Sequence, residues 1–73
     1  MMTATQMREK VLYSGQQAWI ATDVLRLTGV RNPTSRSRGY RLALYVLKGL
    51  EREEFLTSRY FPSVNLTVFW KIP

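Results

Sequence analysis

The stretch from Val30 to Leu50 limits what this chain can fold into more than any other. It opens on Asn32-Pro33, which disfavours helical backbone, and continues with apolar residues at helical spacing. At about 100° per residue, Ala43, Val46, Leu47 and Leu50 fall on one side, with Leu42 at its margin. Arg38, Arg41, Tyr45, Lys48 and Arg52 fall together on the other, three and four positions apart. Leu44 is a misfit on the polar flank. Arg36 lies on the apolar side by angle, but in a first turn its long side chain can still reach outward. This spacing predicts a helix over residues 34–50, capped by Thr34 or Ser35. Gly39 inside it costs about 1 kcal/mol relative to Ala, which close packing or close approach to a ligand would explain.

Charge sharpens the pattern. No acidic residue lies between Asp23 and Glu51, an interval that holds Arg26, Arg31, Arg36, Arg38, Arg41 and Lys48. Lys plus Arg is 11 against 5 for Asp plus Glu, and the net charge of +6 favours an acidic partner such as a phosphate polymer. With 73 residues the chain reads as one small domain. A domain this size buries only about 60% of its unfolded surface, so its stability should be modest. The hydrophobic share, 45%, is that of a folded domain and not of a disordered tail.

Along the rest of the chain, residues 3–13 read as a first helix. Thr3 and Gln6 have capping-box spacing, Met7 and Val11 form the apolar stripe, and Ser14-Gly15 is a stop. Residues 18–21 read as a very short strand or an extended connector. A second helix is expected over 22–28, with Thr22 as its cap, Asp23 at the positive end of the dipole and Thr28-Gly29 at its end. From Phe55 the pattern changes to a β-hairpin over 55–72, turning at Pro62 to Asn65. Leu66, Val68, Trp70 and Ile72 are the better candidates for its buried side.

Helix, short strand, helix, turn, longer helix and hairpin, in that order, resemble the winged helix-turn-helix superfamily. Two stretches carry the likeness, which covers nearly the whole chain at superfamily level. Ile20 to Val30 is similar to the family's second helix and turn, with a capping hydroxyl, an apolar pair and a glycine. Tyr45 to Leu56 is similar to the end of a recognition helix running into the wing. The turn through Arg31-Asn32-Pro33 is longer than the tightest versions. The wing tip, Pro62 to Asn65, lacks the basic residue that often touches phosphate or the minor groove. The resemblance implies an α+β fold of three helices plus a C-terminal wing, and binding to double-stranded DNA with the third helix in the major groove.

In such a docking the N-terminal residues of the recognition helix lie nearest the bases. Arg reads guanine through two hydrogen bonds, Ser bonds to several bases, and Lys or Arg at the rim neutralises phosphate. The expected nucleic-acid-binding residues are therefore Arg31, Ser35, Arg36, Ser37, Arg38, Arg41, Tyr45, Lys48 and Arg59. Arg26 and Lys71 are further phosphate candidates. Arg26 as a solvated residue, Tyr40 as core, and Arg52 paired within its own run of glutamates are the structural readings at those positions.

The leading expectation is a small transcriptional regulator or a phage or plasmid control protein, with a homodimer or a protein partner left open. A protein-interaction module is the alternative, and RNA or single-strand binding through Tyr40, Tyr45 and Tyr60 is a third. An enzyme is not expected. There is no His or Cys, and Glu51, Glu53 and Glu54 stand beside Arg52 with no second acidic cluster. No Gly-rich phosphate loop is present, and no cofactor, metal or small-molecule ligand is expected. Met1 to Lys10 carries no apolar run of the signal-peptide kind, and no stretch approaches the roughly 20 apolar residues that cross a bilayer. A cytoplasmic location is the corresponding expectation.

Overall fold

A computed structural model describes residues 3–73. Three helices, α1 (Ala4–Tyr13), α2 (Ala21–Leu27) and α3 (Tyr40–Arg52), pack with three strands, β1 (Ala18–Trp19), β2 (Leu56–Phe61) and β3 (Leu66–Lys71). The strands form one antiparallel sheet in the order β1-β3-β2. The chain is thus a small α+β domain, compatible in layout with a winged helix. No helix among the described residues is long and apolar enough to cross a membrane.

Helix α1 starts where its capping chemistry places it. Thr3 Oγ1 accepts from the Gln6 amide at 3.2 Å, and Gln6 Oε1 accepts from the Thr3 amide at 2.8 Å. The helix ends on extended Ser14, and Gly15 is not left-handed. Helix α2 begins at Ala21, one residue before the expected start. Its N-cap is Ile20, whose amide donates to Asp23 Oδ2 at 2.9 Å, and Thr22 lies within the first turn and not at the cap. Its end is a Schellman motif. Gly29 has φ +90°, its amide donates to Arg26 O, and the Val30 amide donates to Leu25 O.

The largest departure from the sequence reading is the start of α3. The expected helix over 34–50 begins only at Tyr40, because Gly39 is left-handed at φ +89°, ψ −4°. An L residue pays for that conformation, and a helix cannot pass through it. A Cβ on Gly39 would sit 3.3 Å from Leu25 Cδ2 and 3.8 Å from Met7 Cε. Gly39 is therefore the N-cap of α3, held against α1 and α2, and not a weak point inside a longer helix. The far end of α3 repeats the Schellman pattern: the Glu54 amide donates to Glu51 O, and the Phe55 amide to Leu50 O. Here a non-glycine, Glu54, carries the positive φ of 68°.

Every element sends side chains into one core. Met7 and Val11 come from α1, Trp19 from β1, and Ala21, Val24 and Leu25 from α2. Ala43, Val46, Leu47 and Leu50 come from α3, Leu56 from β2 and Phe69 from β3. The α3 stripe is the one its spacing predicts. Leu44 packs partly buried against the core, as do Leu42 and Tyr40. In the sheet, Trp19 pairs with Phe69, and Phe69 with Ser58, so alternation turns Phe69 inward together with Leu56. The side expected to be buried, with Leu66, Val68, Trp70 and Ile72, is the outer one: Leu66 and Ile72 are exposed, Val68 and Trp70 half-buried.

Two left-handed residues make opposite predictions. Gly39→Ala should lower unfolding free energy by about 1–3 kcal/mol, from the αL penalty plus the crowding against Leu25. Glu54→Gly should raise it by up to about 1 kcal/mol by removing strain at a Schellman position. Chemical denaturation of both variants beside the parent measures the signs.

Candidate nucleic-acid interface

Because α3 starts late, Thr34 to Arg38 form a loop of successive turns on its N-terminal side. The loop is tied internally. Ser37 Oγ accepts from the Thr34 amide at 2.8 Å, Thr34 Oγ1 accepts from the Arg36 amide at 3.1 Å, and the Ser37 amide donates to Thr34 O at 3.0 Å. The Tyr40 amide donates back to Ser37 O at 3.1 Å, which joins the loop to α3. Pro33 is buried and pins the other end, after Asn32 has turned the chain at φ +47°. Thr34 and Ser35 do not cap the helix; Thr34 and Ser37 brace the loop instead.

That bracing presents the basic side chains. Arg31, Ser35, Arg36 and Arg38 are exposed on the loop, and Arg41 is exposed in the first turn of α3. Ser35, Arg36, Ser37, Tyr40 and Arg41 surround one shallow hollow at the helix N-terminus. Arg38 adjoins it in sequence without lining it. Along α3, Tyr45 is 66% exposed, and Lys48 and Arg52 follow on the same face, where Tyr45 and Arg52 line a groove against α1 floored by Gly49. Arg59 stands apart on β2, its guanidinium 5.4 Å from the centre of the Phe61 ring, a cation–π distance.

The acids do not neutralise these cations. Among the described residues the ion pairs are Arg8 with Glu53 at 2.8 Å and Arg26 with Asp23 at 3.0 Å. Glu51 accepts a hydrogen bond from Ser58. Arg31, Arg36, Arg38, Arg41, Lys48, Arg52 and Arg59 form no ion pair within that set. Two further phosphate candidates have partners of their own. Arg26 is exposed but held by Asp23, and Lys71 donates from Nζ to the Ser14 carbonyl, which locks β3 to the end of α1. Ser37 is likewise half-buried and engaged with Thr34, so its hydroxyl serves the loop before any base.

The sequence reading pairs Arg52 within its own glutamate run. Glu53 instead takes Arg8 and Glu51 takes Ser58, which leaves Arg52 with the Arg41–Tyr45–Lys48 face where its helical angle had placed it. The angle was the signal for including it, and proximity in sequence to three glutamates masked it.

Comparison of the chain with protein-family models, characterised proteins and solved structures finds no match.

The two serines should separate bracing from contact. Ser37→Ala removes the acceptor for the Thr34 amide, so exchange of that amide should accelerate and stability should fall by about 0.5–1 kcal/mol. Ser35→Ala, which breaks no hydrogen bond of this loop, should leave both unchanged. Amide exchange by NMR together with denaturation measures the pair.

Proposed function

We propose that this chain is a winged-helix protein that binds double-stranded DNA in a sequence-dependent manner, as a small transcriptional regulator or a phage or plasmid control protein. The observation that carries the reading is the set of arginines without acid partners at one end of α3: Arg36 and Arg38 on a braced loop, Arg41 in the first helical turn. A major groove admits one helix, N-terminal residues first. In that pose Arg36, Arg38 and Arg41, with Ser35, approach base edges and the nearest phosphates. Arg31 at the far end of the loop, and Tyr45, Lys48 and Arg52 along α3, fall to phosphates that set the register. Arg59 is the hairpin's cation for the flanking backbone, since the turn from Pro62 to Asn65 has none.

A protein-interaction role draws support from the hairpin, where Tyr60, Phe61 and Val64 are exposed. Single-strand binding loses one of its three stacking candidates, since Tyr40 packs against the core.

Titration with mixed-sequence and selected duplexes at two salt concentrations tests the DNA reading. Affinity should fall with salt, with a log–log slope of about −0.9 per phosphate neutralised. Arg38→Ala with Arg41→Ala should abolish duplex binding and leave the circular dichroism and melting temperature of the parent, while each single variant, still binding, should flatten the slope by about 1 if its arginine met a phosphate. Unchanged duplex affinity in that double variant overturns the assignment, and an affinity indifferent to salt favours the protein-interaction role.

A further inference from the structure

Strand β2 lies at the edge of the sheet, and the pattern of its ladder shows which of its backbone groups are free. The Lys71 amide donates to Gln17 O on the β1 side, and the Ile72 amide to Phe55 O on the β2 side. Alternation along β3 therefore turns residues 66, 68, 70 and 72 towards β2 and residues 67, 69 and 71 away from it. With Thr57 opposite Trp70 and Arg59 opposite Val68, the N–H and C=O groups of Thr57, Arg59 and Phe61 face β3. Those of Leu56, Ser58 and Tyr60 point out of the sheet edge. An open edge of six residues is a template for another strand, and this one carries no proline and a single charged residue, Arg59.

We infer that the edge pairs with the β2 of a second copy, antiparallel about a two-fold axis centred on Ser58, making a six-stranded sheet. The strand is self-complementary in that register and not in its neighbour. Centring on Ser58 sets Ser58 against Ser58 of the copy and Leu56 against Tyr60 of the copy. Both pairs join residues with outward backbone groups and side chains on the same face. On the other face it sets Thr57 against Arg59 of the copy. Moving the axis to Arg59 also satisfies the backbone but places the two Arg59 guanidinium groups directly opposite each other, a destabilising like-charge pair, and moving it to Thr57 overlaps the two strands only over residues 56–58. Tyr60, which is 53% exposed in the single chain, comes to lie beside Leu56 of the other. Each row across the outer face of the joined sheet then runs from Trp70 and Thr57 of one copy to Arg59 and Val68 of the other. Each copy brings +6, so the pairing is opposed at low ionic strength and strengthened as salt screens the charge.

The inference goes beyond the DNA reading and is tested without nucleic acid. Sedimentation velocity of the full chain over a concentration series, at low salt and at about 0.5 M, where screening shortens charge repulsion to a few ångström, should show a monomer–dimer equilibrium that shifts to dimer in high salt. Thr57→Glu creates two Glu–Arg59 cross-strand pairs and should tighten the dimer about threefold or more, while Thr57→Arg should weaken it by a similar factor. Tyr60→Pro deletes an outward amide without touching the β2–β3 ladder and should give a monomer with the parent's circular dichroism. A parent and a Thr57→Glu variant that both stay monomeric up to millimolar concentration overturn the inference, even if the edge captures an unrelated strand. A dimer indifferent to the Thr57 and Tyr60 variants overturns it equally, since the contact then lies elsewhere.

Discussion

The fold depends on the contact of α3 with everything else. Four of its thirteen residues, Ala43, Val46, Leu47 and Leu50, are buried, and they meet α1, α2 and β2. Neither a seven-residue helix such as α2 nor a two-residue strand such as β1 is stable alone. Each exists because the α3 stripe gives its apolar side chains somewhere to go. Truncating a fully buried leucine of that stripe to alanine costs about 2–5 kcal/mol in proteins generally, a large share of the stability of a domain this small.

The same helix divides the molecule electrically. Asp23 caps α2 and restrains Arg26, Glu53 ties α3 to Arg8 of α1, and Glu51 ties α3 to Ser58 of β2. Three of the five acids are thus spent on joining elements to one another. The arginines of the α3 loop and first turn stay outside those attachments, and their field is uncompensated nearby. The positive field there is a property of position as much as of number.

The helices and the hairpin were legible because their signals are local. Thr3 with Gln6, Thr28-Gly29, the stripe from Ala43 to Leu50 and the Pro62 to Asn65 turn each declare themselves within a few residues. What sequence reading misplaced depended on tertiary contact. The start of α3 is set by the left-handed backbone of Gly39, at a place where a Cβ would crowd Leu25 of α2, a side chain from another element. The inner face of β3 is set by Trp19, a partner fifty residues away, which pairs with Phe69 and turns the more regular apolar set outward. The candidate site shows the same division. Its arginines were legible as an acid-free run, but their setting on a loop, the tethering of Lys71 by Ser14 and the release of Arg52 by Arg8 were not.

The left-handed turn at Gly39 has a consequence for how such a surface can change. Residues inside a helix are chained to its pitch, so adding or deleting one rotates every side chain beyond it. Arg36 and Arg38 precede the helix, on a bend whose ends are fastened separately by buried Pro33 and by Gly39. A change of side chain there leaves the stripe from Ala43 to Leu50 in registration with the interior, so long as Thr34 and Ser37 keep the bend tied.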